Sequence, residues 1–360
     1  MRTLTSDFQL SASHSAERPA RDSGVDLVKS AAILFVILIH VSGGALGATA
    51  AGTIPWLESL LWNSAARSAV PLFLLCSGAI LLNPARGVTA RHIWQRNIPH
   101  ILLALFFWAA VYQALSFAED GGLRQEALRA GLLSLLRWDH ESHLYFLQIM
   151  LLVYAAFPIT RTFMDHADEK TQRYALLFWL VCGVALPMLK AVCKPGGGVS
   201  AQWPLPMVWA AIGCTALGEL LRRRPLPAGL AAGMAALGFS VCFFGTWLLS
   251  VRAGALRSLL LEGFSLGPVM MAAGLFSLGM RTGERLPARC ARAAQTLSRS
   301  SFCVYLVHIA ILRALYRAGL STGFCRPLLS VPALSALCFT ISFLLWLPLS
   351  RLPFVRRWLI

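Results

Sequence analysis

Two basic side chains interrupt the first long apolar run of the sequence, VDLVKSAAILFVILIH, from Val25 to His40. They are Lys29 and His40, eleven positions apart. At about 100° per residue they fall on one face of a helix, roughly 16 Å apart along its axis. A lysine at the cytoplasmic mouth of such a helix can hold an anion. An imidazole deep in the membrane can take a proton from a hydroxyl near neutral pH. Titratable groups inside a bilayer are costly, and by default they mark function. The competing reading is a neutral histidine bonded to a neighbouring helix; alignment with a cation favours chemistry. His40 is therefore read as a general base and Lys29 as its basic partner. A long donor, with phosphates at the mouth and a reactive end reaching inward, would span the gap between them.

Other polar residues extend this reading. Arg67 lies inside NSAARSAVPLFLLCSGAILL, Asn63 to Leu82. It is a substrate-binding candidate, although an arginine snorkelling toward the outer surface fits the pattern as well. Pro71, Ser77 and Gly78 are expected to bend this helix and let backbones approach. ARHIWQRNIPHILL, Ala90 to Leu103, brings Arg91, His92 and Arg96 to the cytoplasmic side, where arginines suit phosphate. Ordinary topological charge would explain the same residues. DHESHLYFLQIMLLVYAAFP contains Asp139, His140, Glu141 and His143. H-E-S-H lacks the spacing that puts two histidines on one helix face, so no metal site is expected. His143 is instead assigned to a polar cluster at the outer interface, touching substrate. In SRSSFCVYLVHIAIL, Tyr305 and His308 are three apart on one helix face. Core hydrogen bonding suits both, and His308 is a further substrate-binding candidate. Walker A and G-x-G-x-x-G patterns are absent, which leaves ATP-driven transport without support.

These residues must be positioned by membrane helices. The chain has 360 residues, 57% hydrophobic and only 13% charged. Soluble domains carry about 25% charged residues. Apolar stretches of spanning length occur at about 27–49, 60–82, 97–117, 143–163, 173–191, 203–221, 228–250, 264–281, 300–319 and 331–352. The expectation is an all-α integral membrane protein, a polytopic bundle of about ten transmembrane helices. Lysine and arginine favour one side roughly two to one, which puts both termini in the cytoplasm. The net charge of +16 is thus topological and does not indicate nucleic acid. Residues 1–22 read as a disordered cytoplasmic tail without a signal-peptide core. Residues 23–355 read as one transmembrane domain. Arg124–Arg137 reads as a short amphipathic helix outside the fourth span. Nine cysteines occur without C-x-x-C spacing; most fall in the apolar runs as small hydrophobes, while Cys193 and Cys325 fall in outer loops, where a bridge between them is not expected.

With Asp26, Lys29 and His40 in its first helix, the sequence resembles membrane acyltransferase family 3, the inner-membrane O-acyltransferases of bacteria. Asn63–Leu82, His143–Pro158, Ser265–Phe276 and Ser298–Leu312 look like the family's later segments, in order, with Tyr145 where tryptophan is usual. The likeness is greatest to the subgroup that includes the enterobacterial common antigen O-acetyltransferase. It implies acetyl-CoA as donor substrate rather than a bound cofactor, a glycan or lipid-linked oligosaccharide as acceptor, and a multi-pass protein of the bacterial inner membrane. His40 matches the family's catalytic histidine and Lys29 its basic partner. In an Arg-x-x-Arg pattern before Pro99, Arg96 fits the second place while Ile93 occupies the first; Arg91 or His92 stands nearby. The rival class is a transporter or flippase of lipid-linked sugars, which also needs buried histidine and arginine.

Overall fold

The computed structural model describes residues 21–119, 129, 131–134, 137–138, 141–193, 205–206 and 209–360. Among these the chain is entirely helical, with nine helices long and apolar enough to cross a membrane. They are α1 Ser23–Ala48, α2 Ile54–Leu81, α3 Ala90–Glu119, α4 Ser142–His166, α5 Glu169–Val192, α7 Ala228–Ala253, α8 Ser258–Gly283, α9 Ala288–Arg317 and α10 Pro327–Leu349. Between α5 and α7 lies α6, Ala210–Arg223, 14 residues long. The start of the span expected at 203–221 lies outside the described residues, as do most of the expected helix Arg124–Arg137 and residues 1–20. A short basic helix, α11, Pro353–Trp358, follows α10. The chain is a multi-pass helical membrane protein.

Helix α1 is the hub. The Asp22 carboxylate caps it, accepting from the backbone N–H groups of Gly24 at 2.9 Å and Val25 at 3.1 Å. Asp26 in the first turn complements the helix dipole and holds Arg21 at 2.8 Å. Beyond that turn α1 is an unbroken apolar helix packed against α2, α8, α9 and α10. Ala32, Ile33, Ile37 and Val41 are wholly buried along it.

Helix α2 is broken where its sequence demands. Arg67 and Ser68 separate Ile54–Ala66 from Ala69–Leu81. Pro71 has no N–H to offer the carbonyl of Arg67, and its ring crowds that turn. The break therefore falls four residues before the proline and leaves Arg67 on it. Further along, a Cβ at Gly78 would lie 1.9 Å from the Thr215 carbonyl oxygen, and one at Gly218 would lie 2.2 Å from that of Leu75. Helices α2 and α6 thus meet backbone to backbone, which only glycine permits. Helix α3 contains a π-turn at Ile93–Asn97, just before Pro99, which cannot donate a helical hydrogen bond. The outer surface is apolar, with Ile159, Leu177, Leu237, Phe244 and Leu344 exposed where lipid would be. Cys76, Cys182, Cys214, Cys242, Cys303 and Cys338 are free and buried.

Candidate active site

A cavity of about 230 Å³ opens between α1, α2, α4, α9 and the start of α8, lined by His40, Arg67, His143, Tyr145, Glu262 and Tyr305 among others. His40 lies roughly 26 Å from Ser23 and about 12 Å from Ala48 along α1. It is therefore beyond the middle of the helix, nearer its C-terminal end. Lys29 lies about 9 Å inside the helix start rather than at its mouth. That correction follows from α1 beginning at Ser23, more than a turn and a half before the lysine.

Hydrogen bonds fix the groups around His40. Arg67 Nε donates to Asn63 Oδ1 at 2.8 Å. Asn63 Nδ2 donates to the Ile39 carbonyl at 3.1 Å and to Ser42 Oγ at 2.9 Å. The buried amide thus spans α1 and α2, and its orientation is set by its partners. Arg67 is held against the cavity instead of snorkelling outward.

Three imidazoles from three helices converge. The His40 and His308 ring centroids are 5.0 Å apart, His143 and His308 5.4 Å, and His40 and His143 6.5 Å. His308 Nδ1 donates to the Tyr305 carbonyl at 2.6 Å. That bond requires Nδ1–H, so Nε2 of the neutral ring carries the lone pair. The Tyr305 hydroxyl donates in turn to the His143 carbonyl. Tyr112 packs its ring 4.8 Å from His143 and donates to the Leu306 carbonyl at 2.7 Å. His308 Nε2 and both ring nitrogens of His143 have no hydrogen-bond partner among the described residues. No group of histidine, cysteine, aspartate or glutamate among those residues is arranged to hold a metal ion.

Behind the His40 cavity lies a second, of about 310 Å³, lined by Lys29, Asn97, His100, Tyr154 and Arg299. The two share Phe73, Phe146 and Tyr305 as a wall. Ring centroids there are 5.8 Å apart for Phe73 and Phe146 and 5.6 Å for Phe146 and Tyr305. A third cavity of about 270 Å³ shares Asn97 and His100 with the second and adds His92, Arg96 and Arg357. The three form one line, from a basic mouth through Lys29 to His40.

The sequence candidates divide accordingly. His40, Arg67 and His143 line the first cavity, Lys29 the second and Arg96 the third. His308 is wholly buried beside His40 and His143 and does not line that cavity. Arg91 is exposed, donates to Gln95 Oε1 at 3.2 Å and lines none of the three. His143 is only 2% exposed rather than interfacial. The 3-10 turn Ser142–Leu144 turns it inward, while Glu141 stays at the rim and pairs with Arg313 at 2.7 Å. Asp139 and His140 lie outside the described residues. Sequence reading passed over Glu262, Arg299 and Arg357. The signal for Glu262 was a lone carboxylate in the apolar run Leu259–Phe264. Arg299 and Arg357 were read as topological charge alone.

A family profile described as "Acyltransferase domain" matches residues 22–347, from the cap of α1 nearly to the end of α10. No curated protein and no solved structure matches the chain.

Proposed function

Because the chain belongs to this acyltransferase family, we propose that it is a membrane O-acetyltransferase of the bacterial inner membrane. It moves an acetyl group from cytoplasmic acetyl-CoA to a hydroxyl of a cell-surface or lipid-linked glycan. Likeness to the common antigen O-acetyltransferase subgroup supports acetyl and glycan as the transferred group and the acceptor class. The observation that carries the reading is the line of three cavities, basic at the cytoplasmic end assigned by charge bias and ending at His40.

The donor phosphates rest against Arg96, Arg357 and His92, and Lys29 holds negative charge further in. The thioester passes the layer of Phe73, Phe146 and Tyr305. His40 takes the proton of the acceptor hydroxyl. The oxygen attacks the thioester carbonyl; a C–O bond forms and the C–S bond breaks. Imidazolium then returns its proton to the departing thiolate, so charge balances. Arg67, its Nε committed to Asn63, offers its terminal N–H groups to the oxygen that gains charge in the tetrahedral intermediate. His143 and Tyr145 contact the acceptor, and His308 backs His40 from α9.

The test supplies membranes containing the wild-type protein or His40→Ala with acetyl-CoA labelled in its acetyl group, and follows label into glycan. Incorporation by wild type and none by the variant is expected. No incorporation by wild type with host glycan present would favour a flippase of lipid-linked sugars.

A further inference from the structure

The His40 cavity does not end at Glu262. That residue also lines a larger cavity, of about 680 Å³, between the end of α5, the end of α7 and the start of α8. Its walls are Val192, Leu249, Leu256 and Leu259, with the two arginines Arg252 and Arg257. On the orientation assigned by charge bias this is the outer side, where arginine is disfavoured without a reason.

Three other outer arginines have carboxylate partners. Arg313 pairs with Glu141 at 2.7 Å, Arg317 with Glu119 at 2.8 Å, and Arg326 with Glu58. Arg252 and Arg257 make no ion pair with any described residue. The loop that carries them is nonetheless built. Gly254 takes a left-handed conformation with φ +63° to end α7. The backbone N–H of Arg257 donates to Ser250 Oγ at 2.9 Å, and that of Ala255 to the Ser250 carbonyl at 3.2 Å. Two arginines thus stand on a built loop beside a cavity of mixed lining, part apolar and part charged, that joins the His40 cavity at Glu262.

We propose that this vestibule binds the acceptor through an anionic phosphate ester on a lipid: apolar walls take the chain, Arg252 and Arg257 take the phosphate. The acceptor is then a glycan still attached to a polyprenyl phosphate-type carrier, with its sugar reaching past Glu262 toward His40. The inference rests on the transferase reading and names its acceptor class. Arginine forks match phosphate oxygens bidentately, which makes them the chemical signature of such a ligand.

The experiment uses the full chain in nanodiscs of phosphatidylcholine. Binding of a polyprenyl phosphate is compared with that of the uncharged polyprenol of equal length, for wild type and for the Arg252→Gln/Arg257→Gln double variant. Both arginines are exposed, so the substitutions leave the core intact. Wild type should prefer the phosphate by about tenfold or more, and the variant should lose the preference while keeping polyprenol binding. Equal binding of the two lipids by wild type, or an undiminished preference in the variant, overturns the proposal. So does phosphatidylglycerol competing as well as the polyprenyl phosphate, since the site would then hold bulk anionic lipid. Acetyl-CoA binding in the same nanodiscs separates the two claims. If it fails while the phosphate preference stands, the transferase reading falls and the lipid phosphate site remains.

Discussion

The His40 and Lys29 cavities share one wall but hold their basic groups in opposite ways. Around His40 the side chains are tied: Arg67 to Asn63, Asn63 to Ile39 and Ser42, His308 to Tyr305, Tyr305 to His143. Around Lys29 the cations and one imidazole are untied. Lys29 and Arg299 have no hydrogen-bond or ion-pair partner among the described residues, and His100 Nε2 is buried without one. Chemistry that depends on angle and sub-ångström distance needs the first arrangement. Holding phosphates needs only charge within reach, and long mobile cations supply it. The bundle spends rigidity on one side of the shared wall and adaptability on the other.

Substitutions on the two sides should therefore fail differently. His40→Ala should lower acetyl transfer by about a hundredfold or more while acetyl-CoA still binds, checked by label transfer and by equilibrium binding. A variant that lost both equally would erase the distinction. Asn63→Ala frees Arg67, and the expected loss is on the order of tenfold in kcat, with KM for donor nearly unchanged. Lys29→Met should act in the opposite sense, raising the KM for acetyl-CoA by about tenfold and changing kcat less. Added salt should imitate that effect and leave Asn63→Ala unaffected. The smallest change belongs to neither cavity. Asp168 caps α5, accepting from the backbone N–H of Thr171 at 2.8 Å, and its hydrogen bonds to Thr171 hold its carboxyl below the usual carboxylate range. Its folded pKa is the lower one, so its stabilisation is present above the unfolded pKa and lost as pH falls through the folded one. Asp168→Ala should slightly lower the thermal midpoint at neutral pH, with the difference from wild type closing on acidification.

Those parts of the site that lie on a regular helix were readable beforehand. Lys29 and His40 share a face because α1 has no proline or bulge between them to spoil the rotation of 100° per residue. Arg96 and Arg91 could not be told apart the same way. The π-turn at Ile93–Asn97 widens the helix between them, and a straight-helix count does not follow its faces. Arg67 was ambiguous because an outward and an inward arginine have the same sequence pattern. The decision is made by Asn63 bonding to a different helix, which is a tertiary fact. His143 was placed at the interface because its neighbours are polar, and one 3-10 turn moved it inside. Helix count suffered only at α6, whose expected start lies outside the described residues.

The shared wall of Phe73, Phe146 and Tyr305 has an electrical meaning. A bilayer's voltage drops where there is no conducting solution. Where solution fills the cavities on both sides of that wall, the insulating path between them is one layer of aromatic rings instead of the full hydrocarbon thickness, about 30 Å. The field across that layer is correspondingly steep. Moving one elementary charge through it costs or yields about 2.3 kcal/mol per 100 mV. A thioester is neutral and crosses without that work, whereas phosphate, ammonium and free protons do not. The aromatic layer is in this sense a dielectric, passing an uncharged group while keeping the membrane a capacitor.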